Sequence, residues 1–401
     1  MVAVSTRGIT WGVVVACAAF VGLALLLFQP WNRRNDAAAT PSGIPYSLGQ
    51  CHTYAEPVGA AGYNELAQTL RDPMLVGADV GASAHAGDGR AIWVFGDTAR
   101  LVGDTTGPVV RNSMLLSGPE CRAIVIAPAG GPVIPDRSDG VGYWPMSVTT
   151  LYADGITTAY VTAERVQGSE QQFQFTNLGP AIATFQIPDG GVPYYQGTLD
   201  LGADDSVRSN VGWGAAVVDG HDGWWYVYGT SNPDQPMVFG WSVRVARVHP
   251  ETFTDTSTWV YWTGIDWSNQ VDLAIEVIRA EGGVSQTFSV VTHGGEWYAL
   301  SKLDGDLGDY LAMWPAAHPW GDFTSPVKVG KVPNTSEPSI LRYMPLAHPE
   351  ANQAGPDQMV VSISRNSQDQ DLLAKEPGLY RPFFVDIAFP PEPSDALVDV
   401  G

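Results

Sequence analysis

Two aspartates eighteen residues apart, Asp79 and Asp97, stand at the open ends of what reads as one β-hairpin. Asp97 closes the run IWVFGDT (92–98), in which four bulky apolar residues stop on a glycine and a carboxylate. Asp79 opens the run DVGASA that precedes it. Neighbouring antiparallel strands place the start of one beside the end of the next, so both carboxyl groups are expected at one face. Paired carboxyl groups suit glycoside hydrolysis. One, protonated, donates to the leaving oxygen; the other, ionised, activates water or attacks the anomeric carbon. Like charges at short range push the two pKa values apart and yield an acid and a base. Taken singly, each aspartate also fits an ordinary turn or a ligand for backbone amides, with Gly96 letting the chain turn.

The elements that must position this pair repeat along the chain. AIWVFGDT at 91, TAYVTAER at 158, WWYVYGTS at 224, EWYALSKL at 296 and QMVVSISR at 358 share a register. Aligning Trp93, Tyr160, Tyr226, Tyr298 and Val360 gives spacings of 67, 66, 72 and 62 residues. Each segment follows a turn and an earlier apolar strand. Five strand–turn–strand units with this period predict an all-β, five-bladed β-propeller of four-stranded blades. A two-sheet sandwich would not repeat so regularly.

In a propeller the first strand of each blade lines the axis. Its starting residues are Asp79, Trp144, Trp213, Gln286 and Glu337, a ring ill-suited to filling a core. The register makes Glu164 the counterpart of Asp97 and a third candidate catalytic carboxylate, with Arg165 beside it as a salt-bridge partner. Trp144 and Trp213 are candidate platforms for the apolar face of a sugar, although most of the 14 tryptophans must serve blade packing. Gln286, Glu337, Asn112 and Tyr343 complete the expected substrate-binding set.

Composition narrows the alternatives. A 401-residue chain that is 45% hydrophobic and 16% charged, with 44 glycines and 30 prolines, suits short strands and tight turns. The net charge of −21 excludes DNA and RNA as partners, which need a basic surface. The seven histidines have no metal-ligand spacing, and nucleophile-elbow, Walker and dinucleotide motifs are absent, so neither metal nor cofactor is expected.

Residues 9–28 are uncharged and long enough to span a membrane. An uncleaved anchor is favoured over a signal peptide or a lipoprotein site at Cys17. Expected boundaries are 1–28 for tail and anchor, 29–48 for a linker, 49–395 for the propeller and 396–401 for a C-terminal tail. Flanking arginines do not decide orientation. Cys51 and Cys121 could be buried thiols; a disulfide, the favoured reading, would place the domain outside the cytoplasm.

The runs DVGASAHAGDGRAIWVFGDT, VRNSM, HPWGDFTSP and LRYMPLAHPE, with MVVSISRN and YRPFFVDIAFP, resemble an actinobacterial family. It was once catalogued as domain of unknown function 4185 and is now glycoside hydrolase family 183, the endo-D-arabinanases. The resemblance spans about residues 70–390. It implies a five-bladed propeller acting on the D-arabinan of mycobacterial cell walls, exported or membrane-anchored, with catalytic aspartates at Asp79 and Asp97. The rival expectations are a lectin-like propeller that binds wall glycan without cutting it, and a hydrolase of another furanoside.

Overall fold

The computed structural model describes residues 40–102, 105–106, 109–119, 121–169, 174–336 and 339–400. Residues 41–401 form one compact unit. The expected anchor at 9–28 and Glu337 lie outside the described residues. Among the described residues no helix is long and apolar enough to cross a membrane.

Five antiparallel sheets form the blades of a propeller. Their inner hairpins are Gly77–His85 with Ala91–Ala99, Gly142–Ala153 with Ile156–Gly168, and Gly212–Asp219 with Trp225–Ser231 for blades 1 to 3. Blades 4 and 5 follow with Ser289–His293 and Glu296–Leu303, then Ser339–Ala347 and Gln358–Ser367. Five apolar clusters fill the five seams between blades. The second strand of each blade is therefore buried on both faces and reads as a continuous apolar run rather than an alternating one. Ile92 and Val94 face the seam with blade 2, while Trp93 and Phe95 face the seam with blade 5.

The blades are less uniform than four strands each. Blade 5 has three long strands, the outermost being Phe383–Ala388, and adds only the two-residue strand Thr335–Ser336. Blades 1 and 2 each gain a fifth strand from the segment expected to be a linker. Ser47–Leu48 pairs with Val125–Ile126, and Ile44–Pro45 pairs with Tyr194–Tyr195. The linker therefore ends before residue 44. The C-terminal residues are also built in: Leu397 bridges Lys331, and Val400 is buried in the seam between blades 4 and 5.

Ring closure also uses the N-terminal region. The helix Gly59–Thr69 covers the outer strand of blade 5. The Asn64 side chain donates to the Phe384 carbonyl at 2.8 Å and accepts from the Phe384 N–H at 2.8 Å. That side-chain amide satisfies backbone groups that an edge strand would leave unpaired. Cys51 and Cys121 form a disulfide that fixes this region to blade 1.

Candidate active site

Bulges aim the two aspartates. Pairing steps from Ala78↔Thr98 to Val80↔Phe95, which leaves Asp79 opposite both Gly96 and Asp97. Such an insertion bends a strand and redirects its side chains. Gly96 is required for a different reason from the expected turn. A β-carbon there would collide with Asp79 Oδ1, so glycine permits the close approach. On the facing strand Val80 has a φ of 65°, a conformation unfavourable for a β-branched residue. Its N–H is held by Ser364 Oγ at 2.9 Å.

The bulge also changes which seam Asp97 faces. In blades 2 to 4 the counterpart residues look into the following seam. Glu164 lies near Gln286, Thr230 Oγ1 donates to the Gln286 carbonyl at 2.9 Å, and Lys302 Nζ donates to the Arg342 carbonyl at 2.6 Å. Blade 1 is one residue out of phase, because Trp93 and Phe95 face the preceding seam. The residue added at Gly96–Asp97 brings Asp97 back to the following seam. There Trp144 Nε1 donates to its Oδ1 at 2.7 Å, and Arg111 Nη1 lies 3.9 Å away.

Each carboxyl group has its own environment. Tyr343 donates its hydroxyl to Asp79 Oδ2 at 2.7 Å, and Tyr380 donates to the Asp97 main-chain carbonyl at 2.8 Å. Burial pushes Asp79 up to about 7, with the Asp97 charge adding to it and the Tyr343 and Tyr380 hydroxyls opposing it. Burial also raises Asp97, against the Trp144 N–H and the Arg111 charge, while Asp136 adds to the rise. Asp79 thus retains a proton close to neutrality, whereas Asp97 has a ring N–H and a guanidinium supporting its ionised form.

Of the other expected residues, Trp144 joins this pair directly, and its ring meets Phe175 edge-on at 4.5 Å. Tyr343 is drawn in as a partner of Asp79, with its hydroxyl committed there. Glu164 does not join the pair. It is 6% exposed, accepts from the Gly179 N–H at 2.9 Å, and lies 3.5 Å from Gln286 Nε2 on a separate cavity. Burial pushes it up to about 7 as well. Arg165 is not its salt-bridge partner, since that guanidinium binds Asp204 at 2.8 Å and nearby carbonyls.

Two expectations are corrected. Asn112 is fully buried, donating to the Ile134 and Tyr143 carbonyls at 3.1 and 2.9 Å and accepting from the Ile134 N–H at 2.7 Å. Its amide is consumed in fixing the chain between blades 1 and 2 and has nothing left for a substrate. Trp213 is buried against Tyr261, with ring centroids 5.1 Å apart, and against Trp259. It packs the seam between blades 2 and 3. The site also contains Tyr380, Arg111 and Asp136, which the repeat did not single out. Tyr380 ends the short turn Pro377–Tyr380, where no strand periodicity marks it.

Comparison with solved structures gives likeness of fold. A candidate hydrolase from Bacteroides ovatus superposes with a TM-score of 0.60 at 18% identity, covering 87% of this chain and 96% of that one. An exo-1,5-α-L-arabinanase from a bovine ruminal metagenomic library gives 0.43 at 11% identity, covering 80% and 95%. The GH43_1 enzyme of Xanthomonas citri, solved with xylotriose, gives 0.40 at 15% identity, covering 73% and 82%. No curated protein matches the chain. The family model that matches is not the endo-D-arabinanase family that the motifs resemble. It is DUF5005, a domain of unknown function, whose match over residues 61–389 places this chain in that family.

Proposed function

We propose that the protein is a glycoside hydrolase whose Asp79 is the general acid and whose Asp97 is the base or nucleophile. The observation that carries this reading is the asymmetry of the pair. Two carboxyl groups on adjacent strands share a half-buried site, one retaining its proton near pH 7 and the other facing an indole N–H and a guanidinium. Opposed environments of this kind let one site supply an acid and a base together. Tyr343 orients Asp79, and Trp144 orients Asp97.

The motif resemblance directs the choice of substrate to D-arabinofuranosyl linkages of cell-wall arabinan. The uncharged run at 9–28 and the Cys51–Cys121 disulfide support a membrane-anchored enzyme with an extracytoplasmic propeller.

The test is to incubate the full-length protein, Asp79→Asn and Asp97→Asn with purified mycobacterial arabinogalactan and to analyse the released sugars. Oligo-arabinosides are expected from the wild type and from neither variant. Retention of the polymer without release would instead identify a glycan-binding propeller. Release that is unaffected by Asp97→Asn would remove that residue from the chemistry.

A further inference from the structure

We propose that the raised end of the second and third strands of blade 2 is the wall that holds the sugar unit on the Asp97 side of the bond to be cut, with the Phe175 ring against its apolar face and the Arg111 guanidinium on its hydroxyls. The proposal deepens, and rests on, the glycoside hydrolase reading of the Asp79–Asp97 pair.

Blade 2 departs from the other blades on the face that carries the site. Its second and third strands stay paired beyond Glu164. After a bulge the ladder continues through Val166↔Asn177 and Gln167↔Thr176 to Gly168↔Phe175. In the other blades the level of Glu164 is marked by Asp97, Thr230, Lys302 and Ser364, and the corresponding strands pair no more than one residue past it. The extra pairs of blade 2 therefore project from that face. Directly opposed residues of an antiparallel ladder carry their side chains on one side. Phe175 meets the Trp144 ring edge-on at 4.5 Å, and a β-carbon at Gly168 would collide with Arg111 Nη2. Both positions thus look toward Asp97, which receives the Trp144 N–H at 2.7 Å and has Arg111 Nη1 3.9 Å away.

Neither Phe175 nor Arg111 is used up by the fold. Phe175 is 48% exposed, and an edge-on contact leaves ring surface uncovered. Arg111 lies across two bare α-carbons, its stem against Gly142 and its tip against Gly168. Its contact with Asp97 is longer than a hydrogen bond, and among the described residues no acceptor binds the guanidinium, so its planar fork of donors is available. The charges of Asp97 and Asp136 act on Arg111 and oppose an anionic ligand. An open aromatic ring beside a hydroxyl-directed donor set suits a neutral sugar, which offers C–H groups on one face and hydroxyls at its edge. A unit seated there presents its anomeric carbon to Asp97 or to the water that Asp97 activates.

The test measures hydrolysis of mycobacterial arabinogalactan across pH by full-length wild type, Phe175→Ala, Phe175→Tyr and Arg111→Lys. Calorimetry with a D-arabinofuranosyl oligosaccharide follows binding for the same changes in an Asp79→Asn background. Phe175→Ala is expected to raise KM about tenfold, the scale of one lost apolar contact. Its kcat and both pH limbs should stay in place, the signature of binding lost equally in ground and transition states. Phe175→Tyr keeps the ring and should restore the wild-type KM. Arg111→Lys keeps the charge beside Asp97 but not the fork, and should raise KM about tenfold without moving the acid limb. A wild-type KM in Phe175→Ala, or a displaced acid limb at unchanged KM, overturns the wall and leaves the Asp79–Asp97 reading intact. In the second case Phe175 would serve only to steady Trp144 against Asp97. An oligosaccharide that wild type binds but never cuts, and that Phe175→Ala binds about tenfold more weakly, overturns the hydrolase reading and keeps the sugar-holding wall. Failure both to bind and to cut overturns the two together.

Discussion

Asp79 Oδ1 lies over the α-carbon of Gly96, in the space that any β-carbon at position 96 would occupy. The glycine before Asp97 is thus a packing partner of the opposing carboxylate. Gly96→Ala should displace Asp79, separate it from Tyr343, and lower hydrolysis at least a hundredfold. Gly355→Ala, where an added β-carbon meets open space, is the control and should be neutral. Parallel rate and melting measurements check this. Full activity in Gly96→Ala would show that Asp79 can move without consequence.

The Asp79 proton should be visible in both rate and stability. A general acid must be protonated, so activity should fall on the alkaline side with a midpoint near 7, the position to which burial raises this carboxyl. Stability carries the same sign. The folded protein binds the proton up to about pH 7 and the unfolded chain only up to about 3.8, so the folded form holds the extra proton between those values. Stability is full below the lower value and is lost as pH rises through the upper one. Glu164, also raised to about 7, adds to the trend. The Tm should decline from pH 5 to pH 8, and Asp79→Asn should flatten that decline and melt above the wild type at pH 8. An unaltered slope in the variant would move the titration to another group.

Much of this architecture was legible because a blade's second strand is buried on both faces, which turns it into an unbroken apolar run such as Ile92–Phe95. The ring of strand starts also names Asp79 and Trp144, and the structure brings both beside Gly96 and Asp97. The repeat alignment concealed a phase difference. Trp93 and Tyr160 share a register in the sequence, yet the two face opposite kinds of seam, and only the Gly96–Asp97 bulge brings Asp97 back into step. Bulges insert a residue without an obvious sequence mark. Trp144 and Trp213 were indistinguishable by type and register. What separates them is a hydrogen-bond partner for one and an aromatic seam for the other. Asn112 looked available because an amide in a turn-like segment gives no sign that its bonds are already spent.

Tyr343 and Trp144 should control different limbs of the pH profile. Tyr343 stabilises the Asp79 anion, so Tyr343→Phe removes that support and raises the Asp79 pKa further. The alkaline limb should move upward by roughly half to one unit. Trp144→Phe keeps an aromatic ring against Phe175 but removes the N–H from Asp97 Oδ1. Asp97 then becomes harder to ionise, and the acid limb should move upward instead. Profiles of kcat/KM for the two variants separate the roles. If the limbs respond the other way round, the assignments of acid and base are exchanged.

The N-terminal segment stabilises the ring at a distance from the chemistry. Cys51 and Cys121 are 70 residues apart in sequence, and their bond anchors the chain beside the outer edge of blade 1. Tyr54 continues the anchorage, its hydroxyl 2.6 Å from Ser117 Oγ and donating to the Gly118 carbonyl at 2.6 Å, while the Arg122 guanidinium lies 4.1 Å from its ring centroid. Chain-entropy arguments put a crosslink closing a loop of this length at about 4 kcal/mol. Cys51→Ser with Cys121→Ser should therefore lower the Tm by several degrees, and reductant should do the same to the wild type. Loosening this segment also frees the edges covered by Ser47–Leu48 and Ile44–Pro45, so the reduced protein should aggregate more readily near its Tm. Hydrolysis at 25 °C should persist, because none of these residues contacts Asp79 or Asp97. Scanning calorimetry, light scattering and activity, each with and without reductant, test the three statements together. A drop in activity at 25 °C without a change in Tm would show that the outer edge of blade 1 acts on the site rather than on the stability of the ring.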